Sequence, residues 1–241
     1  GEGQDNRMNI SDFVDVLDDG MPHFDFIMFD ACFMMSVEVA YEVRNYTDYY
    51  IGSPTENPGP GAPYDKVVPY MFKPGAAAQM AEAYFNHYKD NYKAGEGISN
   101  ANWTGGTSIC AVRTDALDDL ADVTGQLLER ADNESMPSFN TVFDYDKRDM
   151  EEGHVGYYDF SQMMEMRLDA DAYVAWKNVF DASIVYWNTT DKNYSMFKRM
   201  FSMKGTNGIT HYIPLSVDSK AAEAYRSMAW YKAAGLENMG W

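Results

Sequence analysis

The chain has 241 residues, of which 46% are hydrophobic, so it can bury the core of one large domain or two small ones and is not disordered. Nineteen basic and 37 acidic residues give a net charge of −18, which excludes nucleic acid as a natural partner because phosphate binding needs clustered Lys and Arg. That charge attracts cationic ligands, and solubility explains it equally well. The chain has no apolar run long enough for a membrane span, and its two cysteines form no disulfide framework.

The first half of the chain predicts a strand–helix–strand unit. A helix from Asn9 or Ser11 to about Leu17 is followed by the stretch 24–32, whose four consecutive apolar residues suit a buried strand of a parallel sheet. After this stretch the apolar spacing becomes helical to about residue 45, and a second strand covers 49–52. Such a unit is a parallel crossover, which places Cys32 at the carboxyl end of a strand, where open α/β sheets bind ligands.

The rest of the chain predicts further helices and strands. The Pro- and Gly-rich loop 53–63 leaves the sheet edge that carries Cys32 and is expected to wall a pocket there. Beyond it we predict a partly helical segment 64–72, helix 76–92, polar loop 93–105, strand 107–112, helix 117–131, acidic loop 132–156, helices 158–168 and 170–187, strand 208–214 and helix 219–234. The polar loop divides the chain into a core, residues 1–102, and a mostly helical region with added strands, residues 103–241.

Cys32 is the first candidate for chemistry. Free cysteines usually pack as small apolar side chains, and Cys110, inside an apolar strand, is interpreted in this way. Cys32 instead stands at a strand-to-helix turn, where the N terminus of the following helix would stabilise a thiolate. The place of Cys32 at this turn favours a role as nucleophile, and packing as a small apolar side chain is the alternative.

Asp30 precedes Cys32 by two residues and is expected to point to the same side of the strand. A carboxylate at the end of an apolar strand costs free energy unless it is paired or solvated. One interpretation is a helix cap or a structural hydrogen bond. The other is an anionic floor for a cationic substrate side chain.

A cysteine nucleophile normally needs a histidine base, and none of the four histidines fits this role. His23 lies at the far end of the same strand, roughly 30 Å from Cys32 at about 3.3 Å per residue. His87 and His211 are predicted to be packing residues, and His154 is predicted to be exposed in an acidic loop. A catalytic Cys32 would therefore need a histidine from outside this chain.

Residues 29–42 read Phe-Asp-Ala-Cys-Phe-Met-Met-Ser-Val-Glu-Val-Ala-Tyr-Glu. They closely resemble the nucleophile segment of the clostripain family of cysteine peptidases, which usually reads Asp-Ala-Cys-Leu-Met-Gly-Ser-Val-Glu-Val-Ala-Tyr-Glu. Residues 53–59, Ser-Pro-Thr-Glu-Asn-Pro-Gly, resemble the family's following Ser-Pro-x-Glu-x-Pro-Gly loop, and residues 208–214 and 230–235 are similar to its C-terminal part. Met35 stands where the family has glycine, a change expected to alter packing more than chemistry.

The resemblance implies a caspase-like three-layer α/β/α fold with a mainly parallel sheet and a largely helical C-terminal region. It implies a cysteine–histidine dyad with Cys32 as nucleophile, cleavage after Arg or Lys, and Asp30 binding that cation, with Ser53 and Glu56 as further pocket residues. It also implies autocatalytic maturation into a light chain with the histidine and a heavy chain with the cysteine. Because the chain starts at Gly1 rather than Met, we expect it to be the heavy chain.

Several expectations accompany this hypothesis. Substrates should be basic peptides or proteins, and the location should be secreted or cell-envelope in a bacterium. No cofactor and no metal ligand are assigned; calcium dependence stays open, because acidic loops supply carboxylates but EF-hand spacing is absent. The alternative function is a catalytically silent caspase-like module that binds basic peptides in the same acidic pocket.

Overall fold

The computed structural model describes residues 8–131 and 141–239, so the polar start of the chain and the segment 132–140 of the acidic loop lie outside the described residues. The helices are α1 Ile10–Asp18, α2 Val37–Val43, α3 Tyr64–Met71, α4 Ala77–Asp90, α5 Leu117–Arg130, α6 Phe160–Arg167, α7 Ala170–Ser183, α8 Lys220–Ser227 and α9 Ala229–Ala233. The strands are β1 Phe24–Met28, β2 Thr47–Gly52, β3 Ser108–Arg113, β4 Tyr157–Asp159, β5 Ile184–Thr189, β6 Lys192–Ser195, β7 Arg199–Ser202 and β8 Thr210–Tyr212. None of the described helices is both long and apolar enough to cross a membrane.

The central sheet has the strand order β1-β2-β3-β5. β1 and β2 pair in parallel through the crossover helix α2, as predicted. β2 pairs with β3, and β3 with β5, in antiparallel fashion. The α/β class is therefore confirmed, and within the described chain the sheet is mixed, because β3 runs opposite to both of its neighbours.

Side chains on the two faces of the sheet enter two separate cores. Tyr50 and Cys110 point into a core formed with α2, α5, α6, α7 and α9. Their neighbours Ile51 and Ile109 point into a second core, formed with α3 and α4. Because successive strand residues alternate in direction, this division produces the expected three-layer α/β/α arrangement. Cys110 is fully buried, as predicted for a packing residue.

β1 differs from the sequence prediction of a strand covered on both faces. It is an edge strand of the described sheet, and all five of its residues are partly exposed. Beyond Met28 the chain stays beside β2 and its extension through bonds from Phe29 N to Ile51 O (3.0 Å) and from Phe33 N to Thr55 O (3.0 Å). The outer edge of β1 has no strand partner among the described residues.

Two helix predictions in the second half are wrong at particular residues. α7 ends at Ser183, and the segment containing Trp187 forms β5 instead. Its β-branched and aromatic residues pair with β3, with Trp187 opposite Cys110, so tertiary pairing prevails over helical spacing. The predicted closing helix is broken at Met228, whose backbone is extended with ψ 147°. The division of the chain at residue 102 stays a prediction, and β3 and β5 share the central sheet with strands from before it.

Candidate active site

The turn after β1 carries Cys32. Cys32 is exposed as a residue, although its thiol is partly enclosed by its neighbours. Helix α2 begins only at Val37, where Ser36 caps it by accepting a bond from Val39 N at 3.2 Å. The prediction that a helix N terminus adjoins Cys32 is therefore wrong, because residues 33–36 lie between them outside the helix.

The residue after Cys32 holds this turn in an unusual conformation. Phe33 has a positive φ of 60°, which costs a non-glycine residue roughly 1–3 kcal/mol. Its ring stacks on Tyr157 with centroids 4.9 Å apart and planes within 4°, and its N–H donates to Thr55 O. These contacts offset the strain and hold Phe33 in this conformation.

Asn57, in the Pro- and Gly-rich loop, joins the two candidate residues. Its backbone N–H donates to Cys32 Sγ at 3.2 Å, and its Nδ2 donates to Asp30 Oδ1 at 3.0 Å. Its Oδ1 is buried and has no hydrogen-bond partner among the described residues. Sequence reasoning missed Asn57, which stands at a variable position of the loop that resembles the clostripain motif.

Asp30 lies in a cradle of donors and stays exposed. Its Oδ2 accepts from Ala62 N at 2.8 Å and from the Tyr64 hydroxyl at 3.3 Å. Gly61 has a φ of +79°, and a Cβ there would lie 3.1 Å from Asp30 Oδ2, so only glycine lets the loop pass this close. Asp30 thus makes structural hydrogen bonds and also presents its negative charge to solvent.

The surroundings of Cys32 favour the neutral thiol. Burial raises the pKa of Cys32, and the negative charges of Glu56 and Asp30 add to this effect. The N–H of Asn57 lowers the pKa but does not overcome the other effects. A cation brought next to the thiol would favour the thiolate.

Ser53 and Glu56 hold the loop in place. Ser53 is fully buried, and its hydroxyl hydrogen bonds to the hydroxyl of Ser108 at 3.2 Å. Glu56 Oε1 accepts from Ser195 Oγ at 2.6 Å and its Oε2 accepts from Met196 N at 3.0 Å, which ties the loop to the β6–β7 hairpin. The predicted part of Ser53 and Glu56 in substrate binding stays a prediction.

Two of the histidines contact aspartate side chains rather than Cys32. His23 Nε2 lies 2.8 Å from Asp48 Oδ1, and both side chains are exposed. His154 Nε2 lies 2.5 Å from Asp144 Oδ2, and only 12% of the His154 side chain is exposed. The predicted exposure of His154 is wrong, because the acidic loop folds back onto it.

The other two histidines also lie elsewhere. His211 is fully buried, as predicted, and its Nδ1 bonds to Tyr212 O at 2.7 Å while its Nε2 accepts from Trp230 Nε1 at 3.1 Å. Burial lowers the pKa of His211 to about 3. His87 is exposed, with its ring edge-on to Tyr88 at 4.9 Å between centroids, so its predicted role as a packing residue is wrong. The contacts of the described residues thus include none between a histidine and Cys32.

No group of three or more His, Cys, Asp or Glu side chains that could hold a metal ion occurs within residues 8–131 and 141–239.

The comparisons with known proteins find cysteine proteases. The sequence model of the clostripain family matches residues 1–238. A cysteine protease of B. fragilis is 37% identical, with a TM-score of 0.90 over 100% of this chain and 98% of that one. A secreted cysteine protease of Bacteroides thetaiotaomicron, solved with an irreversible peptide inhibitor, is 40% identical, with a TM-score of 0.86 over 96% of this chain and 64% of that one.

A clostripain of Bacteroides thetaiotaomicron ATCC 29148, solved with a peptide inhibitor, shares the fold with a TM-score of 0.81 at 22% identity, over 97% of each chain. No curated protein matches the chain. The family match over nearly the whole chain and the 37% identity to a solved protease confirm the resemblance found in the sequence, and the chain belongs to the clostripain family of cysteine proteases.

Proposed function

We propose that this chain carries the nucleophile of an endopeptidase that cleaves after Arg or Lys. The observation that carries the proposal is the pair of exposed groups at the end of β1, the Cys32 thiol and the Asp30 carboxylate, joined by Asn57. A thiol beside a solvent-facing anion suits a substrate whose cationic side chain lies next to its scissile bond.

In the proposed reaction a histidine takes the thiol proton and the Cys32 sulfur attacks the scissile carbonyl carbon. The C–S bond forms while the carbonyl π electrons move to oxygen. As that oxyanion collapses, the histidine returns the proton to the leaving amine and the C–N bond breaks. Water, deprotonated by the same histidine, then attacks the acyl–cysteine thioester. The C–S bond breaks, the acid product leaves, and the histidine returns the proton to the sulfur.

The backbone N–H of Cys32 would donate to the oxyanion. The neighbouring N–H of Phe33 is already bound to Thr55 O. The Cys32 N–H has no such backbone acceptor among the described residues.

We infer that the histidine belongs to a light chain cut from the same precursor. Two observations support this inference: none of the chain's own histidines contacts Cys32, and the outer edge of β1 is unpaired within the described chain. A light chain that adds strands at this edge would bring its histidine to the carboxyl ends of the same sheet. The contact between the chains should then be a large apolar core, rather than a transient one.

The proposed location is extracytoplasmic, in a bacterium. One of the similar proteases is described as secreted, and the organisms of the similar structures are bacteria. Basic peptides or proteins are the proposed substrates.

A second candidate function is a silent module that binds basic peptides without cleaving them. The raised pKa of Cys32 favours this alternative, because a neutral thiol is a poor nucleophile. A peptide that is bound by the Cys32→Ala protein and bound but not cleaved by the wild type would support it.

The test of the proposed specificity is Asp30→Asn in the assembled protein. Loss of a charge-assisted contact should lower kcat/KM on arginyl and lysyl substrates by tens- to thousands-fold, corresponding to roughly 2–5 kcal/mol. Asp25→Asn is the matched control: it removes a carboxylate from β1 whose partner is Gly75 N, at 3.1 Å. Unchanged kinetics of Asp30→Asn, with a native thermal melt, would show that Asp30 is only structural.

A further inference from the structure

The β6–β7 hairpin ends in the turn Met196-Phe197-Lys198, which we call the hairpin tip. Met196 is 75% exposed and Phe197 is 39% exposed. Single exposed apolar residues are common on protein surfaces. Two adjacent exposed apolar residues on a turn that is bonded to a candidate active site can instead form part of a binding surface.

The hairpin tip is fastened to the loop that contacts Cys32. One carboxylate oxygen of Glu56 accepts from Met196 N, in the hairpin tip, at 3.0 Å. The other accepts from Ser195 Oγ, at the end of β6, at 2.6 Å. The next residue, Asn57, donates its N–H to Cys32 Sγ at 3.2 Å. Bond lengths along this path place Met196 N within roughly 14 Å of the sulfur, a distance that about four residues of an extended peptide cover.

Further contacts make the hairpin tip a defined surface. Phe197 N donates to Ser195 Oγ at 3.2 Å, and Lys198 Nζ bonds to Asp149 Oδ1 at 2.8 Å. The turn is therefore held on both sides while its apolar side chains face solvent. Burying such side chains against a bound partner would be favourable, and little ordering entropy remains to be lost.

Building on the proposed peptidase function, we propose that Met196 and Phe197 form a subsite for an apolar side chain of the substrate. This side chain belongs to a residue within about four positions of the bond that Cys32 cleaves. Asp30 then binds the Arg or Lys side chain, and the hairpin tip discriminates among Arg- and Lys-containing substrates by their apolar side chains. Glu56 fixes the distance between these two binding sites because it joins the hairpin tip to the loop that contacts Cys32 and Asp30.

The test uses the assembled protein and internally quenched peptides with one Arg among glycines. Each of the four positions on either side of the cleaved bond, apart from the Arg, is changed in turn from Gly to Leu. The wild type should cleave the peptide with Leu at the subsite position roughly 10-fold faster in kcat/KM than the all-glycine peptide. The double variant Met196→Ser with Phe197→Ser should lose this preference and keep its rate on the all-glycine peptide.

Two further variants complete the experiment. Val174→Ser removes a side chain on α7 that is 59% exposed and should keep the preference. Met196→Leu keeps an apolar side chain and should also keep it. A preference that survives in the double variant, or is absent from the wild type, would overturn the subsite. So would an equal loss on every peptide, which would mark the hairpin tip as a structural or light-chain contact. A wild type that leaves even the all-glycine arginyl peptide intact would refute the proposed function itself, and the subsite with it.

Discussion

Asn57 donates its backbone N–H to the sulfur of Cys32 over 3.2 Å. Its side chain donates to Asp30, so one residue contacts both the thiol and the acid proposed to bind the substrate cation. The two contacts use different parts of Asn57, and mutation can separate them. The hydrogen bond to the sulfur needs only the backbone of Asn57, whereas the hydrogen bond to Asp30 needs its side chain.

We expect Asn57→Ala to raise KM for arginyl substrates roughly tenfold and to leave kcat nearly unchanged. The variant keeps the N–H that contacts Cys32 but loses a hydrogen bond to a charged group, which contributes about 1.5–3 kcal/mol. Steady-state kinetics on arginyl substrates would measure the split. Asn57→Asp is the companion variant: it loses the same donor and places a second carboxylate against Asp30, so it should not restore the wild-type KM. A fall in kcat at constant KM would contradict this role of the side chain.

The sequence predicted the parts of this fold that depend on local pattern. The β1–α2–β2 unit and the burial of Cys110 follow from apolar periodicity, which is a property of neighbouring residues. Trp187 could not be placed in a strand in this way, because β5 exists through its pairing with β3. Similarly, the positive φ of Phe33 depends on stacking with Tyr157, far away in the sequence.

In the candidate site, too, the sequence pattern predicts only what depends on neighbouring residues. Cys32 and Asp30 were found because they occur together in a motif, whereas Asn57 acts through the path of a loop that returns to β1. Glu56 was predicted beside a pocket, and its observed partners lie on a hairpin for which no element was predicted. Contacts between distant segments carry no periodic signal in a single sequence.

Limited alkylation should modify Cys32 and spare Cys110. Cys32 is exposed, whereas Cys110 is buried in the core, and burial raises its thiol pKa far above the usual range. Mass spectrometry of the assembled protein after limiting iodoacetamide would locate the adduct. Cys32→Ala should then take up almost no label in the native state. Preferential labelling of Cys110 would contradict the assignment of Cys32 as the reactive thiol.

The raised pKa of Cys32 gives this experiment a pH dependence. Without a nearby cation the thiol should react more slowly at pH 7 than a cysteine in a short peptide, since less of it is thiolate. A light-chain histidine in its protonated form should accelerate the reaction. Equal rates in the assembled protein and in a variant lacking that histidine would contradict the proposed dyad.

If the precursor is cleaved autocatalytically, its maturation should depend on Cys32. A precursor with Cys32→Ala should stay as one chain, whereas Cys110→Ala should be cut normally, provided that it folds. Electrophoresis of the two purified precursors would compare them. Cleavage of the Cys32→Ala precursor into two chains, with no other protease present, would contradict autocatalysis and leave the proposed endopeptidase activity to be judged on added substrates.

Glu38, on α2, should make folding stability depend on pH. It is 3% exposed, its Oε1 accepts from Tyr212 N at 2.7 Å, and burial raises its pKa to about 7 against the opposing effect of that bond. His211 Nδ1 lies 3.7 Å from the same oxygen, but burial lowers the pKa of His211 to about 3, so no positive charge faces Glu38 from there in this range.

The direction of the effect follows from the raised pKa. Below the usual pKa of 4.5 both folded and unfolded chains hold the Glu38 proton, so nothing is lost. As pH rises to about 7 the unfolded chain releases the proton while the folded chain retains it, and the free energy of unfolding falls. Above that pH the loss is complete, at roughly 3 kcal/mol.

Glu38→Gln cannot ionise and can still accept the Tyr212 N–H. We therefore expect its Tm, relative to wild type, to be higher at pH 8 than at pH 5 by several degrees, given about 2–4 °C per kcal/mol for a chain of this size. Calorimetry at the two pH values measures this difference. Glu42→Gln, one turn further along α2, separates the effect from the general loss of a charge on this helix. A Tm difference that is the same at both pH values, or that changes equally in Glu42→Gln, would show that the folded chain does not hold the Glu38 proton at neutral pH.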